Sequence, residues 1–120
     1  MDLVKTLCEL VAIPSVNPMG RDLSGPEIYE HRVTDYLESW FRERGIPYLR
    51  QTVEPLRDNI IARLDSDRSP QTGGPLLLFE AHQDTVPVDG MTIDPWKPVA
   101  RDGRVHMRGP ATLTFAGHVG

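Results

Sequence analysis

The chain has 120 residues, of which 39% are hydrophobic and 25% charged, a balance typical of one soluble globular domain or part of one. Its 13 Lys and Arg residues are scattered among 17 Asp and Glu residues, which argues against a nucleic-acid-binding stripe. The longest apolar run, 76–79, is too short to cross a bilayer. A single cysteine, Cys8, and an N-terminus unlike a secretory signal predict a cytoplasmic protein.

The first predicted element is an amphipathic helix over residues 2–11. At about 100° per residue, its apolar side chains fall on one face and its polar side chains on the other. The apolar set is Leu3, Val4, Leu7, Cys8, Leu10 and Val11. Proline and glycine recur from Pro14 to Gly25, and this composition predicts a loop after the helix.

A second amphipathic helix is predicted from Ser24 to Gly45. Ser24 and Glu27 have the spacing of a capping box, and Pro26 suits the first helical turn. Gly45 is expected to end the helix. One side carries a stripe that helical spacing predicts to be core rather than a ligand site, formed by Tyr29, Val33, Tyr36, Leu37 and Trp40.

Strands are predicted in the second half of the chain. Residues 47–53 and 59–64 are short segments with β-branched residues, and 65–75 has the composition of a surface connection. Residues 76–81 form an almost unbroken apolar run, which predicts a strand covered on both faces, as in α/β proteins. Asp102-Gly103 predicts a tight hairpin near the end.

His82 and Asp84 follow the predicted buried strand directly. Because they are two residues apart, an extended backbone would project both side chains from the same face. An imidazole beside a carboxylate can be a metal ligand with its orienting acid, a general base with its orienting acid, or a polar surface pair. Catalytic groups in open α/β sheets gather at the carboxyl ends of strands, which favours a functional role here.

Several spaced motifs then resemble one enzyme family. They are Ile13-Pro14-Ser15-Val16-Asn17-Pro18, Asp58-Asn59-Ile60-Ile61-Ala62, the run LLFEAHQDTVPV at 77–88, Asp94-Pro95-Trp96, and RDGRVHMRG at 101–109. In this order they resemble the zinc-dependent amidohydrolases and peptidases of the acetylornithine deacetylase, succinyl-diaminopimelate desuccinylase and aminoacylase family. The resemblance covers residues 1 to about 109.

The resemblance implies a fold, a reaction and roles for two residues. The fold would be α/β, with helices packed on a mixed β-sheet, as the N-terminal part of a di-zinc exopeptidase-like catalytic domain. The reaction would be metal-dependent hydrolysis of an N-acyl amino acid or short peptide by water bound between two zinc or cobalt ions. His82 would be a metal ligand, and Asp84 the catalytic acid that orients it. A homodimer would be expected of an intact family member.

The pattern breaks after Arg108-Gly109. The family places a metal-bridging aspartate three residues later, where this chain has Thr112, and it also requires a Glu-Glu pair that the sequence lacks. We therefore expect residues 1–109 to be the N-terminal part of a truncated catalytic domain, and 110–120 to be a divergent tail that a frameshift would explain. On this interpretation the chain alone binds metal poorly and is inactive. The alternative is a non-catalytic fragment or interaction module.

Overall fold

The computed structural model describes residues 1–68, 70–107 and 113–114, and it is a small α/β structure. Two helices are followed by two small antiparallel sheets. The elements are α1 (Leu3–Ala12), α2 (His31–Glu43), β1 (Tyr48–Glu54), β2 (Arg57–Ala62), a 3₁₀ turn (Pro70–Thr72), β3 (Val99–Arg101), β4 (Arg104–His106) and β5 (Leu113–Thr114). The sheets are β1-β2 and β3-β4-β5. The predicted mixed sheet is not found among these strands, and parallel pairing occurs only as isolated bridges.

The first helix forms where its apolar periodicity predicts. Asp2 caps it, because its carboxylate accepts a hydrogen bond of 3.0 Å from the backbone N–H of Lys5. It ends at Ala12, and the capping residue Ile13 has an extended backbone, as expected for a residue that precedes proline. Within the described residues, no helix has the length and apolar character needed to cross a bilayer.

The second helix begins at His31, so the predicted start at Ser24 is wrong. The backbone that precedes the helix pairs with a distant loop instead. The N–H of Val16 donates to the carbonyl of Glu27 at 2.8 Å, and the N–H of Tyr29 donates to the carbonyl of Val16 at 2.9 Å. Tyr29 also has a φ of 67°, which is incompatible with a right-handed helix. Gly45, at a φ of 63°, ends the helix as predicted.

The β1-β2 hairpin provides the surface on which α2 packs. The two strands are antiparallel, with Tyr48 opposite Ala62 and a register shift between Thr52 and Glu54. Both strands were expected from the sequence, with bounds that differ by one or two residues. Thr34 of α2 is fully buried, which places the inner face of the helix against the hairpin.

An arginine joins the helix to the hairpin electrostatically. The Nη1 atom of Arg50 lies 2.6 Å from Asp35 Oδ1 and 2.9 Å from Glu38 Oε2, both on α2. Its Nη2 atom lies 2.6 Å from Oδ2 of Asp58 on β2. The hydrogen bond from Arg50, followed by one from Thr52, holds the pKa of Asp58 below its ordinary value of 3.8. The cluster holds the start of β2 in place, and this part of the strand also supports the candidate site.

The apolar run at 76–81 is not a buried strand, and this prediction is wrong. Leu76 is 73% exposed and Phe79 is 86% exposed, and no residue of the run has strand pairing. A strand needs neighbours to satisfy its backbone and layers to cover its side chains. Among the described residues no strand lies beside this run, so its hydrophobicity alone does not produce a strand.

The predicted hairpin near residue 102 is confirmed. Asp102 and Gly103 both have positive φ, at 53° and 71°, as a two-residue turn of type I′ requires. Val105 in β4 is 1% exposed and is the most buried apolar residue in this part of the chain. The predicted boundary at 109–110 and the position of Thr112 lie outside the described residues.

Candidate functional site

The segment that carries the candidate site is anchored at its C-terminal end by a buried loop. The N–H of Thr85 donates to the carbonyl of Ser15 at 2.9 Å, and the N–H of Asn17 donates to the carbonyl of Thr85 at 2.8 Å. Ser15 and Val16 are 0% and 3% exposed, so the segment is bound to a buried backbone. Because of these contacts, residues 83–85 are partly buried, whereas the residues that precede them are exposed.

A second anchor comes from the side chain of Gln83. Its Nε2 donates to the backbone carbonyl of Asp58 at 2.9 Å, and its Oε1 accepts a hydrogen bond of 3.0 Å from the hydroxyl of Thr34. Both groups of the amide are therefore satisfied by buried partners on β2 and α2. Gln83 holds the backbone between His82 and Asp84 against the helix-hairpin unit.

The side chains of His82 and Asp84 are in contact, as their spacing predicts. Nδ1 of His82 lies 2.9 Å from Oδ1 of Asp84 and 2.9 Å from the carbonyl oxygen of Asp84. Neither oxygen can donate, so Nδ1 carries the hydrogen and donates to both. In the neutral imidazole the lone pair is consequently on Nε2. The metal-ligand and catalytic roles of the two residues stay predictions.

The contact shifts both pKa values in the directions that stabilise an ion pair. The pKa of His82 is raised, first by its hydrogen bond to the Asp84 carbonyl and then by the Asp84 carboxylate. Burial acts to raise the pKa of Asp84, but the hydrogen bond from Asn17 and the contact with His82 outweigh it, so the net pKa is below 3.8. Asp84 is therefore a carboxylate at neutral pH and keeps its capacity to accept.

Two neighbours of Asp84 were not identified from the sequence. Nδ2 of Asn17 donates to Oδ2 of Asp84 at 2.6 Å, and Nη2 of Arg57 lies 3.9 Å from the same oxygen. Arg57 is itself held by Glu30, whose Oε1 lies 3.0 Å from Nε. Asn17 stands in the motif at 13–18, which is the only sequence signal for it. Nothing local to Arg57 indicates its proximity to the site.

An apolar groove of about 330 Å³ adjoins the histidine. Its lining includes Leu10, Val33 and Leu37 from the two helices, together with His82 and Thr85. Concave apolar surfaces with a few polar groups are typical of small-molecule sites. The arrangement therefore joins an oriented imidazole to a surface that can accept aliphatic atoms.

The described residues do not form the zinc or cobalt centre that the family resemblance implies for an intact enzyme. Within 1–68, 70–107 and 113–114, no three His, Cys, Asp or Glu residues cluster as a metal site requires. Catalytic zinc normally has three protein ligands. Nε2 of His82 can supply one. The described part of the chain therefore does not fit the metal by itself, and no reaction step through a metal follows from it.

Comparison with known proteins gives partial matches to a deacetylase and to desuccinylases. Over 84 residues the chain is 36% identical to acetylornithine deacetylase of Vibrio campbellii, a match that covers 68% of this chain and 21% of that protein. Over 115 residues it is 33% identical to succinyl-diaminopimelate desuccinylase of Parvibaculum lavamentivorans, covering 90% of this chain and 25% of that protein. Over 67 residues the chain is 36% identical to succinyl-diaminopimelate desuccinylase of Acinetobacter baumannii, a match that covers 53% of this chain and 17% of that protein.

These matches support a hydrolase-like relationship, as the sequence motifs suggest. The chain spans a quarter or less of the length of these relatives. No protein-family model matches the chain. No solved structure matches it significantly.

Proposed function

We propose that this chain supplies part of the active site of a metal-dependent amidohydrolase that removes the acyl group from an N-acyl amino acid. In this proposal His82 is a metal ligand through Nε2, and Asp84 is the acid that orients it. The observation that carries the proposal is the double hydrogen bond from His82 Nδ1, which leaves the lone pair on Nε2. The relatives named acetylornithine deacetylase and succinyl-diaminopimelate desuccinylase support the reaction class.

The residues of this chain have defined tasks in the proposal. Asp84 accepts the Nδ1 hydrogen of His82 and so fixes the tautomer and orientation of the ring, as carboxylates beside metal-binding histidines do. Its own ionised state is favoured by Asn17, whose amide donates to Oδ2 at 2.6 Å. The groove beside His82 would receive the aliphatic atoms of the acyl group or amino acid.

The proposal requires further metal ligands from polypeptide other than the described residues. One imidazole is below the three protein ligands that catalytic zinc needs. We therefore expect no turnover of N-acetylornithine or N-succinyl-diaminopimelate by the isolated chain, and turnover when the chain is completed. We also propose a cytoplasmic location for this activity, because a chain with the single cysteine Cys8 fits a reducing compartment.

A chimera tests the proposal. Residues 1–107 would replace the aligned N-terminal part of the Vibrio campbellii deacetylase, and hydrolysis of N-acetylornithine would be measured in the presence of zinc or cobalt. We expect hydrolysis by the chimera, its loss in His82→Ala, and a decrease of about 10- to 100-fold in Asp84→Asn. Asn59→Asp, an exposed change on β2, is the matched control and should retain activity.

Two outcomes would contradict the proposal. One is a folded, metal-loaded chimera that does not hydrolyse N-acetylornithine. The other is a His82→Ala chimera as active as its parent, which would remove the histidine from the site.

A non-catalytic interaction module is the second candidate function, and one observation favours it. Leu76, Leu77, Leu78 and Phe79 are consecutive and each is at least 73% exposed. Contiguous exposed apolar side chains are typical of surfaces that associate with other polypeptides. In this case the isolated chain would associate with itself or another protein, and the chimera would be inactive.

A further inference from the structure

We propose that Asn17 is a positioning residue that holds the Asp84 carboxylate in the orientation required to orient His82. The amide of Asn17 binds Oδ2 of Asp84, which leaves Oδ1 to accept the hydrogen of His82 Nδ1. This inference rests on the proposed function for its catalytic meaning. The hydrogen-bond chain itself is testable without metal or turnover.

The contacts of Asn17 permit only one orientation of its amide. Its Oδ1 accepts the backbone N–H of Met19 at 2.9 Å, so the oxygen faces away from Asp84. Its Nδ2 donates to Asp84 Oδ2 at 2.6 Å, a position that only the nitrogen can fill against a carboxylate. The backbone N–H of Asn17 donates to the carbonyl of Thr85 at 2.8 Å. The side chain is thus held at both ends of its amide.

This arrangement assigns a separate partner to each oxygen of Asp84. Oδ2 is occupied by Asn17 and Oδ1 by His82. Without the amide, the terminal torsion of the carboxylate becomes free, since that torsion has broad minima. Arg57 does not replace the amide, because its Nη2 lies 3.9 Å from Oδ2, beyond hydrogen-bond distance. His82 would then keep only the carbonyl of Asp84 as a constant acceptor.

The variant Asn17→Asp tests whether Asn17 positions Asp84 without disturbing the local turn at Met19. The variant keeps an oxygen that can accept the Met19 N–H, so the turn is preserved. It replaces the donor to Asp84 by a second carboxylate, and the two negative groups repel each other. A residue with a purely structural role in the turn would tolerate this change. A residue that positions Asp84 would not.

The test is the tautomer of His82 in the full chain without metal. Nitrogen NMR of ¹⁵N-histidine-labelled protein, at a pH where the ring is neutral, distinguishes Nδ1–H from Nε2–H, and His82→Ala identifies the signals. We expect the Nδ1–H form in the parent chain. In Asn17→Asp the Nδ1 and Nε2 frequencies should move toward each other, the signature of mixed tautomers. Asn59→Asp, which adds the same charge at an exposed position, should leave the tautomer unchanged.

An unchanged Nδ1–H signature in folded Asn17→Asp would overturn the inference. If the variant does not fold, hydrogen exchange of the side-chain amides in the parent chain replaces it. The Asn17 amide should exchange about tenfold more slowly than that of Asn59, as a hydrogen bond to a charged group implies. Among the described residues, the side-chain amide of Asn59 makes one long hydrogen bond of 3.5 Å, to Oε1 of Gln51. Equal exchange rates would also overturn the inference. Absence of hydrolysis in the parent chimera, together with the expected tautomer shift in Asn17→Asp, would count against the proposed function alone.

Discussion

Replacing Thr34 by valine should destabilise the support of the candidate site. Thr34 is fully buried, and its hydroxyl donates to Oε1 of Gln83 at 3.0 Å. Valine has nearly the same shape, so the change creates no cavity but leaves the Gln83 oxygen without its donor. An unsatisfied buried acceptor costs about 1–3 kcal/mol; Gln83 is half-buried, and the added methyl group also recovers part of this cost. We expect a loss of about 1–2 kcal/mol, a large share of the stability of a small domain.

Urea unfolding at neutral pH measures this effect. The midpoint should fall while the slope stays unchanged, because the area exposed on unfolding is the same. A double-mutant cycle with Gln83→Leu isolates the contact, since Thr34→Val should cost about 1 kcal/mol less when the acceptor is already absent. An equal cost in both backgrounds would refute the assignment of Thr34 as the partner of Gln83.

Two further predictions concern the surroundings of the site. Arg50 lowers the pKa of Asp58 below its ordinary value of 3.8 in the folded chain. The stability that the ionised Asp58 contributes to the fold is therefore complete above pH 3.8, and it is lost as the pH falls through the lower pKa of the folded state. Between about pH 5 and about pH 2, the urea midpoint should therefore decrease less in Asp58→Asn than in the parent chain. An equal decrease of the midpoint in both chains would contradict this. Leu77→Glu should reduce self-association in sedimentation velocity, whereas Leu64→Glu, at a similarly exposed leucine, should not; equal effects would show that the apolar run is not the contact.

Elements fixed by local chemistry could be predicted from the sequence. The helix α1 follows from apolar periodicity with a cap at Asp2, and the hairpin β3-β4 follows from Asp102-Gly103, whose positive φ values suit the turn. The contact between His82 and Asp84 is local as well, because the two residues are separated by one position. Each of these predictions needs only a few neighbouring residues.

Features fixed by distant contacts could not be predicted in the same way. The start of α2 is displaced because Ile28 pairs with Val16, and no local pattern indicates that bridge. Asn17 is 67 residues from Asp84 along the chain, so its role appears only when the two loops are brought together. The run at 76–81 shows the converse, since hydrophobicity predicts burial only where covering elements are present.

A cobalt titration of the ¹⁵N-histidine-labelled chain shows directly whether Asp84 presents His82 to a metal. A single imidazole binds Co²⁺ only weakly, but paramagnetic broadening in fast exchange detects such binding. We expect the His82 signals to broaden at lower Co²⁺ than those of the other three histidines, His31, His106 and His118, and we expect Asp84→Asn to raise the required concentration by about 10- to 100-fold. Broadening of His82 no earlier than of the other three histidines, with no effect of Asp84→Asn, would contradict the claim that Asp84 presents His82 to a metal.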